Sequence, residues 1–197
     1  MPFIIYIFSL CAFAIGFTEF ITIGLTSVMA TDLHTDVANI GFAVTTYDLG
    51  AVIGAPILTA LAWRWTRRRL ILTAMLMFTL SSLLAAFSGS LGLLLVARLI
   101  SGLAHGVFLA VAASVATRLV HPSKAGSAMA LVFGGITIAM SLGVPLGTWI
   151  GTILRWQLVF LVIAFCSILG TLGIYFRMPS SGCRLMINQK LTMVAAD

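Results

Sequence analysis

Long apolar runs separated by short polar connections dominate the chain. Each run reaches about 20 residues, the length that a helix needs to cross a hydrocarbon core of ~30 Å. The runs lack the strict alternation of barrel strands, and helices satisfy their own backbone groups in lipid. The pattern predicts an all-α membrane protein with six transmembrane helices, at about residues 3–29, 38–62, 70–88, 91–117, 127–150 and 157–176.

A signal peptide is the alternative interpretation of the first run, because Val28-Met29-Ala30 loosely resembles a cleavage site. No Lys or Arg precedes the run, however, and it is too long for the apolar region of a signal peptide. It also contains Glu19. We therefore interpret it as a membrane helix.

Composition agrees with this class, since 61% of the 197 residues are hydrophobic and 8% are charged. The net charge of +6 does not indicate a nucleic-acid partner, because the basic residues lie mainly in the connections on one side of the predicted membrane. By the positive-inside rule, both termini are predicted to be cytoplasmic. Under this prediction the cytoplasmic side holds Arg64, Arg67, Arg68, Arg69, Arg118, Lys124, Arg177, Arg184 and Lys190, and the outer side holds Asp32, Asp36 and Arg155.

The end of the chain differs from the rest. After Met178 comes a Pro-Ser-Ser-Gly cluster and then a short mixed segment without a further apolar run. We therefore predict one membrane domain at 1–178 and a disordered cytoplasmic tail at 179–197.

Several kinds of site are excluded by the motifs that are missing. The three cysteines have neither an even count nor metal-ligand spacing, so no disulfide framework, metal site or cofactor is predicted. No Gly-rich phosphate loop ending in Lys-Ser or Lys-Thr is present, which argues against an ATP-driven pump. An intramembrane serine protease needs a helix-borne serine and a histidine on another helix, but His105 is the only histidine within the predicted helices and no Gly-x-Ser-Gly lies in one, so an enzyme is not predicted.

An internal repeat is indicated by one tripeptide. Gly54-Ala55-Pro56 recurs as Gly143-Val144-Pro145, on a helix predicted to run in the opposite direction. The order of a polar helix, a small-residue helix and a bulky helix also recurs. Inverted three-helix repeats build many secondary transporters, and we expect two of them here.

Four polar side chains lie inside the predicted helices: Glu19, Asp48, Arg98 and His105. Such groups cost a few kcal/mol each in lipid on insertion scales and therefore usually face a cavity or a partner. A rise of ~1.5 Å per residue places Glu19 and Arg98 at similar depth, in the outer half of the membrane. His105 follows Arg98 by seven residues and shares its face.

Each of these groups has two open interpretations. Glu19 is either a buried partner of Arg98 that holds two helices together or a carboxylate that takes up and releases protons. Asp48 is either a cap for an irregular helix or a cavity group. His105 is either a proton relay or, because Gly102 and Gly106 flank it, a packing residue.

Four segments together resemble the major facilitator superfamily, in its drug:proton antiporter branch near the bacterial sugar and arabinose efflux permeases. They are GFTEFITIGL, GAPILTALAWRWTRRRL, ARLISGLAHG and ALVFGGITIAMSLGVPLGTWIG. The resemblance covers about residues 1–178. It implies a rocker-switch transporter whose first and fourth helices line a central cavity.

The resemblance also assigns roles to individual positions. It implies a cytoplasmic gate at Arg64, Arg67 and Arg68, proton coupling at Arg98 with Gly102, and an antiporter motif at Gly143, Pro145 and Gly147. The chain departs from the family pattern at Thr59, Trp63 and Val144.

Twelve helices are implied by the family, and this chain supplies six, so a truncation or a shifted reading frame is expected. Our hypothesis is an inner-membrane exporter, or its N-terminal half, that exchanges a drug or sugar for protons. The alternative is a membrane-inserted fragment or structural subunit without transport activity. The expected partners are the lipid bilayer, a small-molecule substrate, protons, and a second six-helix half or a second copy.

Overall fold

The structure, a computed structural model, describes residues 2–61 and 65–178, apart from the side chains at 57–59 and 61. All regular structure in this part of the chain is helical. The predicted gate residue Arg64 and the predicted tail at 179–197 lie outside the described residues. The helices are α1 (Phe3–Gly24), α2 (Thr26–Asp32), α3 (Val37–Leu61), α4 (Arg67–Ala86), α5 (Leu91–Arg118), α6 (Ala125–Ile138), α7 (Val144–Ile153) and α8 (Trp156–Arg177).

Six helical segments within the described ranges are long and apolar enough to cross a membrane, which confirms the predicted all-α class. They are α1, α3, α4, α5, the fifth span formed by α6 and α7 together, and α8. The first predicted helix, at 3–29, is divided at Leu25, where α1 ends. Leu25 still donates its N–H to Ile21 at 3.0 Å and accepts that of Met29 at 2.9 Å, so α2 continues from a bend.

The fifth span was predicted as one helix at 127–150 and is interrupted in the structure. A π-helical turn at Ala139–Gly143 separates α6 from α7. Pro145 lies in the first turn of α7 and has no N–H to donate to the preceding turn. A wider turn before the proline accommodates this loss, as π-bulges do within α-helices.

The helices pair in a pattern that repeats. The most extensive pairing joins α3 to α5, and its counterpart joins the fifth span to α1. Likewise α4 packs on α5, α8 packs on α1, and α4 and α8 pack on each other. Exchanging the first three spans for the last three leaves this pattern unchanged. Because each unit has three spans, the second unit enters from the opposite side, as the predicted inverted repeat requires.

Candidate functional site

Arg98 is almost fully buried in α5, at 1% exposure, and three backbone carbonyls receive its guanidinium. Its Nη1 donates to the carbonyl of Thr18 at 2.8 Å, its Nε to that of Ala43 at 3.3 Å, and its Nη2 to that of Glu19 at 3.5 Å. A cation in this setting needs such partners, because burying an unpaired charge is very costly. One side chain therefore connects α1, α3 and α5.

The ring of Tyr47 covers one face of this planar guanidinium. The ring is fully buried, and its centroid lies 4.3 Å from Arg98 Cζ, within the range of a cation–π contact. Its hydroxyl lies 3.0 Å from Nδ1 of His105 and 3.4 Å from the carbonyl of Ile15. Tyr47 is not among the site residues predicted from the sequence. The available signal was a hydroxyl within an apolar span, directly before Asp48.

Among the described residues, the Glu19 carboxylate is paired with His105 and not with the guanidinium of Arg98. The Glu19 side chain is 25% exposed, and Oε2 lies 3.8 Å from Nδ1 of His105. The contact between Arg98 and Glu19 is made to the backbone carbonyl instead of the carboxylate. The interpretation of Glu19 as the side-chain partner of Arg98 is therefore not what the geometry shows. The carboxylate is left accessible on the surface between α1 and α5.

Asp48 lies on the exposed side of α3. Among the described residues its carboxylate has no hydrogen-bond partner, so it does not act as a helix cap there. It is close enough for its charge to act on Glu19 and Arg98. We call Glu19, Tyr47, Asp48, Arg98 and His105 the polar cluster.

The polar cluster combines two kinds of chemistry. Arg98 is a permanent cation held by the protein itself, whereas Glu19 and His105 are groups that gain or lose a proton. Glu19 and Asp48 are the members with exposed or partly exposed carboxylates. The cluster therefore presents acidic groups at the surface of the bundle and keeps its positive charge inside. No group of three or more metal-ligating side chains occurs within the described residues.

The predicted gate residues lie at a different place. Arg67 donates from Nη1 to the hydroxyl of Ser114, which joins the start of α4 to α5. Arg68 donates from Nη2 to the carbonyl of Tyr175 at 2.7 Å. Its Cζ lies 5.5 Å from the centroid of the Tyr175 ring. Ser114 follows His105 by nine residues in α5, or roughly 13 Å along the helix axis. These arginines join helix ends and do not enter the polar cluster.

The predicted glycine positions lie at helix contacts. A Cβ on Gly102 would overlap the backbone carbonyl of Tyr47. In the fifth span, a Cβ on Gly143 would lie 3.2 Å from the ring of Phe17, and one on Gly147 would lie 2.6 Å from it. Pro145, between these two glycines, is exposed. The two glycines thus pack against Phe17 of α1, two residues before Glu19.

Known proteins resemble the chain along most of its length. A family model described as Major Facilitator Superfamily matches residues 8–182. An uncharacterized MFS-type transporter of Bacillus subtilis, YtbD, is 39% identical over 93% of this chain and 47% of its own. The chloramphenicol resistance protein of Streptomyces lividans is 34% identical over 91% of this chain and 45% of its own. A probable sugar efflux transporter of Helicobacter pylori is 35% identical over 81% of this chain and 41% of its own.

Solved structures share the fold. The proton:xylose symporter XylE superposes with a TM-score of 0.76 at 16% identity, over 88% of this chain and 44% of that one. The human organic anion transporter MFSD10 superposes with a TM-score of 0.58 at 19% identity, over 89% of this chain and 46% of that one. The chain thus spans about half the length of the curated relatives it matches. With its six apolar spans and the matching family model, this multi-pass membrane protein belongs to the major facilitator superfamily.

Proposed function

We propose that the chain is the N-terminal half of a proton-coupled exporter of a small organic solute in the bacterial inner membrane. The observation that carries the proposal is Glu19, a partly exposed carboxylate within a membrane span, beside the buried cation Arg98. Carboxylates at membrane depth are rare, and they mark proton or substrate pathways.

Glu19 is proposed to carry the proton. Its carboxylate is accessible on one side and contacts His105 on the other, so a proton enters without unfolding the bundle. Arg98 is proposed to influence Glu19 through its charge, and its position is held by backbone carbonyls that do not titrate. Asp48 supplies a second negative charge on the same side of the cluster.

The direction of transport and the orientation rest on other observations. Two relatives are named for chloramphenicol resistance and for sugar efflux, which supports export of an organic solute. Basic residues occur at the end of the bundle where α4 begins and α8 finishes, which supports cytoplasmic termini. Arg64, Arg67 and Arg68 are proposed to gate that end, and Gly143, Pro145 and Gly147 to let the fifth span move against α1.

A second candidate function follows from the length of the chain. It spans 47% of YtbD and 45% of the chloramphenicol resistance protein. Six spans supply one wall of a cavity that lies between two halves in transporters of this kind. The second candidate is therefore a structural subunit that transports only with another six-helix half.

Flux through reconstituted protein tests both candidates. Proteoliposomes containing the chain would be loaded with labelled chloramphenicol or labelled xylose and given a pH gradient in either direction. We expect gradient-dependent flux that Glu19→Gln abolishes and that Asp36→Asn, in an exposed connection, retains. Flux that survives Glu19→Gln would contradict the proton role.

The absence of flux from inserted, folded chain would favour the second candidate. Co-reconstitution with the C-terminal six helices of YtbD is the next measurement in that case. Flux that appears only with the added half would identify the chain as a subunit. Continued absence would leave the chain without a transport role for these solutes.

A further inference from the structure

The two repeats can be aligned residue by residue. Adding 89 to Gly54 and Pro56 of α3 gives Gly143 and Pro145 of the fifth span, the positions that define the repeated tripeptide. For the first helices of the two units, adding 86 to Gly16 gives Gly102. The shifts of 89 and 86 residues come from matching glycines and prolines alone. The contacts between helices are independent of that match, so they test the alignment.

One pair of close approaches passes this test. A Cβ on Gly102 would overlap the backbone of Tyr47, where α5 meets α3. The repeat converts these positions to Gly16 and Ile136. A Cβ on Gly16 would lie 3.0 Å from Cα of Ile136, where α1 meets the fifth span.

A second pair passes it as well. A Cβ on Gly54 would lie 2.8 Å from Cα of Leu103. The same two shifts convert these positions to Gly143 and Phe17. A Cβ on Gly143 would lie 3.2 Å from the ring of Phe17. The alignment therefore reproduces contacts on both sides of the bundle.

Under this alignment Glu19 corresponds to His105, because adding 86 to 19 gives 105. These two equivalent positions are also in contact, at 3.8 Å between Oε2 and Nδ1. Equivalent positions of a two-fold repeat come together only at its axis. The axis of an inverted repeat lies in the membrane plane, so the pair lies midway between the two ends of the bundle, and not in the outer half as the residue count along the first helix predicted for Glu19.

We propose that Glu19 and His105 hold one proton between them on this axis, and that His105 is the second residue of the proton site. The inference rests on the proposed proton role of Glu19 and extends it to a named partner. In one state the proton is on the Glu19 carboxyl and the His105 ring is neutral. In the other state the O–H bond of Glu19 is broken, an Nδ1–H bond is formed, and a carboxylate faces an imidazolium.

Tyr47 allows both states to be hydrogen-bonded. When the His105 ring is neutral, Nδ1 accepts the Tyr47 hydroxyl proton at 3.0 Å. When Nδ1 carries a proton, it donates towards Glu19 and the Tyr47 hydroxyl turns to the carbonyl of Ile15, 3.4 Å away. The Tyr47 hydroxyl therefore has an acceptor in either state, so the proton can move without leaving this buried donor unpaired.

The charged and titratable groups around His105 come from three helices. They are Glu19 on α1, Tyr47 on α3 and Arg98 on its own helix α5, while Asp48 of α3 acts on Glu19 and Arg98. Arg98 opposes a positive ring, whereas Glu19 favours it. Among these groups Glu19 is the one whose side chain contacts Nδ1 as an anion, so an imidazolium at position 105 depends on it.

The protonation state of His105 can be measured by nitrogen NMR of the full chain in lipid bilayers, with ¹⁵N-labelled histidine. The chemical shifts of the ring nitrogens differ between neutral and protonated imidazole. The His105 signal is assigned by its loss in His105→Asn, and His34 and His121 serve as internal references. We expect a protonated His105 ring over part of the pH range in which the protein stays folded. Glu19→Gln should abolish that signal, and the control Asp36→Asn, in an exposed connection outside the polar cluster, should retain it.

Several results would overturn the inference. A His105 ring that stays neutral at every pH in the native protein would show a packing residue only. A protonated ring that survives Glu19→Gln, or that is lost equally in Asp36→Asn, would show that the proton is not shared with Glu19. The spectra need no transport, so absent flux with a Glu19-dependent imidazolium would reject the proposed function alone.

Discussion

The hydroxyls of Thr79 and Ser167 lie 2.6 Å apart where α4 crosses α8. Both side chains are buried. Thr79 also lies 2.8 Å from the carbonyl of Met75 on its own helix, to which it donates its single proton. Ser167 is then the donor between the two helices. Their separation along the chain is 88 residues, so this contact, like that of Glu19 with His105, joins corresponding parts of the two repeats.

Removing this contact should weaken the bundle modestly. We expect Thr79→Val and Ser167→Ala, combined in a double-mutant cycle, to give a coupling of roughly 0.5–1.5 kcal/mol, as interhelical hydrogen bonds in membranes do. The measurement is reversible unfolding in lipid–detergent bicelles. Thr117→Val is the control, because Thr117 donates to the carbonyl of Ala113 on its own helix. A coupling near zero would contradict the interhelical bond.

Gly102→Ala should destabilise the protein strongly. The added methyl group would overlap the Tyr47 carbonyl, and a backbone atom cannot move aside as a flexible side chain does. We expect a loss of at least ~1–3 kcal/mol, the usual cost of overpacking, together with a lower thermal unfolding temperature in detergent. Gly41→Ala is the matched control in a neighbouring helix, because no atom lies within 4 Å of its new Cβ. Equal stability of the two variants would show that α3 and α5 are not in backbone contact.

Arg68 and Tyr175 allow a test that separates the arginine contact from the tyrosine hydroxyl. Tyr175→Phe keeps both the ring and the carbonyl that receive Arg68, so we expect little change in stability. Arg68→Gln removes the cation and should lower the free energy of unfolding by about 1 kcal/mol. Thermal unfolding of the two variants provides the comparison. A larger effect from Tyr175→Phe would show that the hydroxyl, and not the arginine contact, stabilises this end of the bundle.

Asp32 connects the end of α2 to the start of α8. Its Oδ2 accepts from Nε1 of Trp156 at 2.8 Å and from Nε2 of Gln157 at 2.9 Å. We expect Asp32→Ala to cost about 1–3 kcal/mol, because Trp156 is buried and would lose its acceptor. Asp32→Asn keeps a carbonyl oxygen and should cost less. Thermal unfolding that does not distinguish the two variants would show that the acceptor is dispensable.

Six helices and four polar positions were predictable from the sequence for the same physical reason. Apolar length determines which segments cross a bilayer, and Glu19, Asp48, Arg98 and His105 stand out because they interrupt those segments. The repeat was predictable from the tripeptide at Gly54, because small residues and prolines mark close helix contacts.

The partners of these groups were not predictable. Every residue has a backbone carbonyl, so nothing in the sequence indicates that Arg98 binds those of Thr18 and Ala43 instead of the Glu19 carboxylate. Tyr47 escaped notice because a buried tyrosine resembles any aromatic core residue until its hydroxyl partner is known. Pro145 indicates a disturbed helix, but it does not indicate that the disturbance takes the form of a π-helical turn at Ala139–Gly143.

The way in which Arg98 is held has a consequence for how such a protein diversifies. Its acceptors are main-chain oxygens at positions 18, 19 and 43, and these oxygens persist whatever side chain is present. Of the three residues, Glu19 is the one with a partly exposed side chain. A substitution there changes the chemistry of the surface of the bundle and leaves the carbonyl that Arg98 binds in place, so the two are separately mutable.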